Sequence, residues 1–212
     1  MSSLRAELTA GGSRVPAYRM LVPPGWEVFD LSDASEAAVI SRAETRLRSQ
    51  GRGDLAAAFV PHVREALSGL RKQNAFAYAF AGEASPTWGL GTASLVGLKR
   101  ISTPELSLDD VVRTAIVSHA AAPLAGDERI VRWIERRPVT LDGQAVTSLM
   151  LNYMIPVPGT RRTQAVHWVV NVAHDPALPD DHESLKAWEL LFDGHVATFS
   201  WVNDAEGPGR GA

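Results

Sequence analysis

The sequence predicts an α+β fold, an antiparallel β-sheet flanked by helices, and three observations carry that expectation. Stretches with an apolar period of two, such as "AFAYAFA" from Ala75 and "TQAVHWVVNVAHD" from Thr163, alternate with stretches of helical period such as the run from Leu108 to Ile116. Their order is hairpin, helices, two strands, helix, three strands, helix, strand, which suits a sheet covered by helices. Asp142-Gly143 separates two extended segments, as a tight hairpin turn does.

The first element is "YRMLVPPGWEVFDL", residues 18 to 31. Tyr18, Met20 and Val22 alternate with Arg19 and Leu21, after which Pro23 and Pro24 remove two backbone donors and Gly25 permits a turn. A hairpin-like corner is expected, with Trp26 folded back onto the core. Asp33, with Glu36 three residues on, reads as a helix start, and Ile40, Ala43 and Leu47 share a stripe. A second helix from Asp54 carries Leu55, Phe59, Val63, Ala66, Leu67 and Leu70 at helical spacing, with Pro61 expected to bend or split it.

From Ala75 the period is two. Phe76, Tyr78 and Phe80 are expected on one face, and Ala75, Ala77, Ala79 and Ala81 on the other. In "WGLGTASLVGLKR" the small residues Gly89, Gly91, Ala93 and Gly97 again fall on one side, so paired strands would form a shallow trough. Ser107 caps a third helix with Asp110 at the capping-box position, and Leu108, Val111, Val112, Ala115 and Ile116 face inward.

The two strands around Asp142-Gly143 follow, the second with Leu149, Leu151, Tyr153 and Ile155 on one face. Val166, Trp168, Val170 and Val172 mark a central strand. Asp180 or Asp181 opens a last helix with the stripe Leu185, Trp188, Leu191 and Phe192, before a short strand around "TFSWV". Residues 15–202 are expected to form one domain, between flexible tails at 1–14 and 203–212.

The opening "YRMLVPPGWEVFD" and the closing "LKAWELLFDGHVATFSWV" together resemble the PsbP-like fold family. That family includes the photosystem II extrinsic protein, the Ran-binding Mog protein and the actinobacterial LpqN-type lipoproteins. The resemblance implies an α/β/α sandwich that works by binding, as an accessory to a larger assembly, with no catalytic residues to carry over. The sequence departs from the LpqN type in having no lipid-bearing Cys, and from the photosystem type in having no targeting segment.

Composition narrows the chemistry. With 212 residues, 45% hydrophobic content and a formal charge of −3, the chain is an ordinary globule without the basic excess that nucleic-acid binding demands. It contains no cysteine, which removes disulfides, thiol nucleophiles and Cys-ligated zinc. No signal-peptide or membrane-spanning run is read from it, so the cytoplasm is the expected compartment. No G-x-S-x-G elbow, S-x-x-K pair or Walker loop is present, and "GLGTAS" lacks the third glycine of a dinucleotide turn. No cofactor is expected.

Three candidate sites remain. His174, Asp175 and His182, with His167, Asp180, Asp181 and Glu183 near them, are side chains that a metal centre or a hydrolase uses. Against that, "HESLK" places Lys186 where a helical zinc motif needs its second histidine, and acidic residues at a helix start serve its dipole. The small-residue trough either admits a closely packed helix or leaves a groove for an apolar ligand.

The third candidate is a basic layer, Arg42, Arg46, Arg48, Arg52, Arg64, Arg71 and Lys72, set against Glu44, Asp54 and Glu65, with Trp88 as a partly exposed aromatic. It suits an acidic protein partner. The favoured expectation is a non-catalytic adaptor or assembly factor that engages another protein and neither nucleic acid nor membrane. The alternatives are a metal-dependent or His/Asp hydrolase at the His174 to Glu183 cluster, and a carrier of an apolar small ligand.

Overall fold

The computed structural model describes residues 15–82, 85, 93–141 and 143–202. The two segments read as tails, together with Trp88, Gly89 and Gly91, lie outside the described residues. The strands are β1 (Tyr18–Arg19), β2 (Trp26–Asp30), β3 (Ala75–Ala81), β4 (Ala93–Ile101), β5 (Ala122–Leu124), β6 (Asp127–Leu141), β7 (Gln144–Pro156), β8 (Gln164–His174) and β9 (Ser200–Trp201). The helices are α1 (Asp33–Ser49), α2 (Gly53–Lys72), α3 (Leu108–His119) and α4 (Glu183–Ala197).

Seven strands form one sheet in the order β2-β3-β4-β8-β7-β6-β5, with every neighbouring pair antiparallel. The fold is α+β, with a large antiparallel sheet between helices. β8 lies in the middle and is apolar on both sides because both sides are covered. Val166, Trp168, Val170 and Val172 face Leu185, Phe192 and Val196 of α4. Val169, with Val96 and Leu98 of β4, faces the α1–α2 side, where Leu70 packs on it. Ala165, Met154 and Trp133 face Leu108 and Ala115 of α3.

The opening corner differs from a hairpin. β1 pairs with β9 as a separate two-stranded ribbon, and β2 pairs with β3 at the edge of the large sheet. Between them Pro23 accepts a hydrogen bond from the Trp26 amide at 3.1 Å, and Gly25 has φ +76°. With Pro24 fixing the preceding φ, this is a turn that needs glycine at its third position. The turn hands the chain from one sheet to another, and Trp26 is buried with its ring edge-on to Phe192 at 5.3 Å.

Two caps fall one or two residues from their expected places. Ser32, not Asp33, caps α1 by accepting from the Ser35 amide, which leaves Asp33 in the first turn. His182, not Asp180 or Asp181, caps α4 through Nδ1, which accepts from the Ser184 amide at 3.2 Å. Ser107 caps α3 as expected, accepting from the Asp110 amide and donating to its carboxylate at 2.7 Å. α2 runs unbroken through Pro61, which lies on the exposed side.

The period-two reading of β3 holds from Ala77 on, while Ala75 and Phe76 exchange faces: Ala75 packs on the α1–α2 side with Tyr78. The β3–β4 register shifts between Ala75 and Ala77, and the bulge sends Phe76 to the α4 side with Ala77 and Ala79. Phe76 there meets Trp168 edge-on at 5.3 Å. Tyr78 and Phe80 stay on the opposite face, toward α1 and α2. Ile116 of α3 was expected inward and is instead 53% exposed, while Ala115 takes the buried position. The sequence pattern gives no sign of β5, which is three residues long with a proline in it.

Candidate functional site

Four strands present their α1–α2 face as two rows in register: Phe29, Tyr78 and Val96 in one, Phe80, Ser94 and Asn171 in the next. α1 and α2 lie over these rows, yet α1 buries none of its residues. Between the helix pair and the sheet is a cleft of about 520 Å³. Phe59, Val63, Ala66 and Leu70 of α2 form one wall, Val39 of α1 adds to it, and Phe29, Tyr78, Phe80 and Val96 form the floor. A mainly apolar concavity with a few polar groups is the usual form of a small-molecule site.

The floor is aromatic and ordered by contact. Phe29 and Phe80 stack at 5.3 Å with 13° between their planes, and Tyr78 tilts onto Phe80 at 5.5 Å. Burial raises the Tyr78 phenol above its ordinary value, an effect that a hydrogen bond with Ser94 partly offsets. The phenol is therefore neutral, and it joins Ser94 and Asn171 as an uncharged polar strip on the sheet.

The segment from β2 into α1 supplies the acidic lining residues of the cleft, Asp30 and Glu36, alongside Ser32 and Ser35. Asp30 accepts from the Ser32 hydroxyl at 2.6 Å and from the Ser35 hydroxyl, and these bonds with the Ser32 amide hold its carboxyl below the usual range. Arg71 fastens the same corner: Nε donates to the Leu31 carbonyl at 2.8 Å, and Nη2 lies 2.7 Å from Glu36. No lysine or arginine is among the described residues that line this cleft.

The arginines read as a basic layer share their surface with carboxylates. Arg42 pairs with Glu27 at 2.6 Å and stacks over Phe29, and Arg48 pairs with Glu44. Arg52 lies 3.8 Å from Asp54, and Arg64 lies 3.7 Å from Glu36. Asp33 and Glu36 of α1 add to the carboxylates of this surface and face Arg71. Across residues 33–72, seven lysines and arginines stand against five carboxylates, so the excess is modest. Arg46 is on α1 as well. Trp88 lies outside the described residues.

The trough of small residues is filled. A Cβ on Gly97 would come within 2.8 Å of both Phe76 and Trp168, and Ala77, Ala79 and Ala93 belong to the core that Trp26 and α4 complete. Close packing, the favoured reading of the trough, holds; the cleft lies instead on the bulky face of β3 and β4, where the sequence pattern points to no groove. Its residues are ordinary core types at helical and strand spacing, and that spacing cannot say that a helix stands off from the sheet.

His174, Asp175 and His182 each serve the local backbone. His174 Nδ1 lies 2.9 Å from the Asp175 carbonyl, Asp175 accepts from the Ala177 amide at 2.8 Å, and His182 is the α4 cap. Among the described residues no three His, Asp or Glu side chains gather as a metal centre requires.

No family model matches the chain, and no curated protein matches it. Two solved structures do: the Saccharomyces cerevisiae Ran-binding protein Mog1p, at 14% identity and TM-score 0.39, and a single-substitution variant of the protein Mog1, at 13% identity and TM-score 0.40. Each alignment covers 61% of this chain and 80% of the other. The likeness is too distant to carry partner or activity.

One buried polar group lies beyond the cleft, under α3. His167 is 6% exposed; its Nδ1 accepts from Arg100 Nε at 3.3 Å, its Nε2 is 3.1 Å from Asn152 Oδ1, and its ring stacks on Trp133 at 5.1 Å. A guanidinium has no acceptor, so Nδ1 is the lone-pair nitrogen and Nε2 carries the proton. Burial, and then the Arg100 charge, push its pKa down to about 3. Both nitrogens are engaged inside the protein, which is the arrangement of a structural histidine.

Proposed function

We propose that this protein is a non-catalytic binding protein whose ligand is an uncharged, largely apolar small molecule held in the cleft between the α1–α2 pair and the sheet. The carrying observation is the cleft itself: about 520 Å³, floored by Phe29, Tyr78, Phe80 and Val96. Ser94, Asn171 and the neutral Tyr78 phenol can hydrogen-bond one uncharged polar end. Asp30 disfavours a carboxylate or phosphate there, because like charges at close range cost energy, while Glu36 is already paired with Arg71 and adds less. Burying an apolar body drives uptake in proportion to area.

The expectation of a protein partner on the basic helices draws less support from this geometry, since Arg42, Arg48, Arg52, Arg64 and Arg71 already face carboxylates. Uptake of N-phenyl-1-naphthylamine, an uncharged fluorescent probe, is the test. Wild-type protein is expected to bind it, and Ala66→Phe, which places a ring in the cleft from the α2 wall, is expected to weaken binding at least about tenfold, the worth of roughly 1.4 kcal/mol. Equal binding by a folded A66F protein would contradict the reading.

A further inference from the structure

A second cleft lies where β6 begins, β7 turns into β8, and β9 passes. It measures about 500 Å³, and its apolar lining includes Ile130, Ile155, Phe199 and Trp201. Around this lining stand Arg129, Arg161 and Arg162, with Asp127 as the one carboxylate among the described lining residues. Arg129 holds Asp127 in a bidentate pair, Nε at 2.9 Å and Nη2 at 2.7 Å. Arg162 has only a loose contact with Asp109 at 3.7 Å, both side chains more than half exposed. Arg161 has no carboxylate in range among the described residues.

The loop that carries the two arginines is held in an unusual form. Val157 N donates to the Gln164 carbonyl at 2.9 Å, and the Thr160 and Thr163 hydroxyls each donate to a loop carbonyl at 2.7 Å. Within it Arg161 has φ +51° and Arg162 φ +62°, two successive left-handed residues that are not glycine. Such a conformation is costly for a side-chain-bearing residue, and glycine would adopt it freely. A turn alone gives no reason for arginine at both positions. A ligand that needs both guanidinium groups does.

We infer that this cleft is a binding site for a small organic anion, a phosphate or carboxylate group attached to a flat apolar body. Arg161 and Arg162 take the oxyanion, since guanidinium donors suit its oxygens. Trp201 and Pro158 take the body, with the buried Phe199 and Ile130 backing them from the core side. The charge preference is the opposite of that of the cleft under α1 and α2, so the two sites select different ligands.

The test uses 2-naphthyl phosphate as the probe, with 2-naphthol and inorganic phosphate as its two halves, followed by tryptophan fluorescence and amide chemical shifts in the full chain. The phosphate ester is expected to bind at least about tenfold tighter than either half, because charge-assisted hydrogen bonds and apolar burial then act together. The double variant Arg161→Gly/Arg162→Gly keeps the left-handed backbone and is expected to melt no lower than wild type, while binding the ester at least about tenfold more weakly. Ala66→Phe is expected to leave ester binding unchanged. Equal affinity for ester and naphthol, equal affinity for ester and inorganic phosphate, undiminished binding by the double variant, or loss of binding in A66F would each overturn the assignment.

Discussion

At the scale of single residues, Gly97 and His167 show how tightly the sheet is committed on its two faces. Gly97 sits where Phe76 and Trp168 meet, and even one added carbon would lie 2.8 Å from each ring. Gly97→Ala is therefore expected to cost about 1–3 kcal/mol, the range for overpacking a filled core, read from the shift of the urea midpoint. On the other face His167 is held neutral. Above its unfolded pKa near 6.5 it is neutral in both states and adds no pH dependence. As the pH falls from there toward about 3, the unfolded chain takes a proton that the folded one refuses, so stability drops. The slope from this group is at most about 1.4 kcal/mol per pH unit. His167→Gln, which keeps one donor and one acceptor, is expected to flatten the acid limb by that amount relative to wild type. Parallel limbs for the two proteins would show that His167 titrates normally. Groups that do not interact with His167 cancel in the comparison.

At the scale of elements, caps and faces were legible in the sequence to different degrees. Ser107 and Asp110 stand at capping-box spacing, and the structure uses them, with Ser102 accepting from the Leu108 amide beside them. Ser107→Ala is expected to lower stability by about 1 kcal/mol in urea melts, and an unchanged midpoint would mean that the cap is replaced by water. At α1 the competing side chains Ser32, Asp33 and Ser35 are adjacent, and Asp30 decides among them by accepting from both serines. The alternation of β8 predicted its inward face correctly, because no bulge interrupts it. In β3 a single register shift was enough to send Phe76 to the other side, and alternation alone contains no sign of that shift.

At the scale of the whole molecule, the sequence led to the α+β class and to the succession of helices and strands, and to little of the sites. The reason is physical. A cleft is a distance between two layers, and Val63, Ala66, Leu70 and Val96 have the same residue types and spacing whether those layers touch or stand apart. The basic helices illustrate the converse: a list of arginines gives charge, while their pairing with Glu27, Glu36 and Glu44 emerges only from the fold. No helix among the described residues is long and apolar enough to cross a membrane. What distinguishes the molecule is a sheet whose α4 face is filled by Trp26, Phe76, Trp168 and Phe192, and whose opposite face is left open beneath α1 and α2.

The measurement that addresses this most directly is a titration of isotope-labelled protein with N-phenyl-1-naphthylamine, followed by backbone amide and methyl chemical shifts. Shifts concentrated at Val39, Val63, Ala66, Leu70, Val96 and Asn171, saturating together, are the predicted result. Shifts elsewhere on the surface, or none at saturating probe, would contradict a ligand site between the helix pair and the sheet.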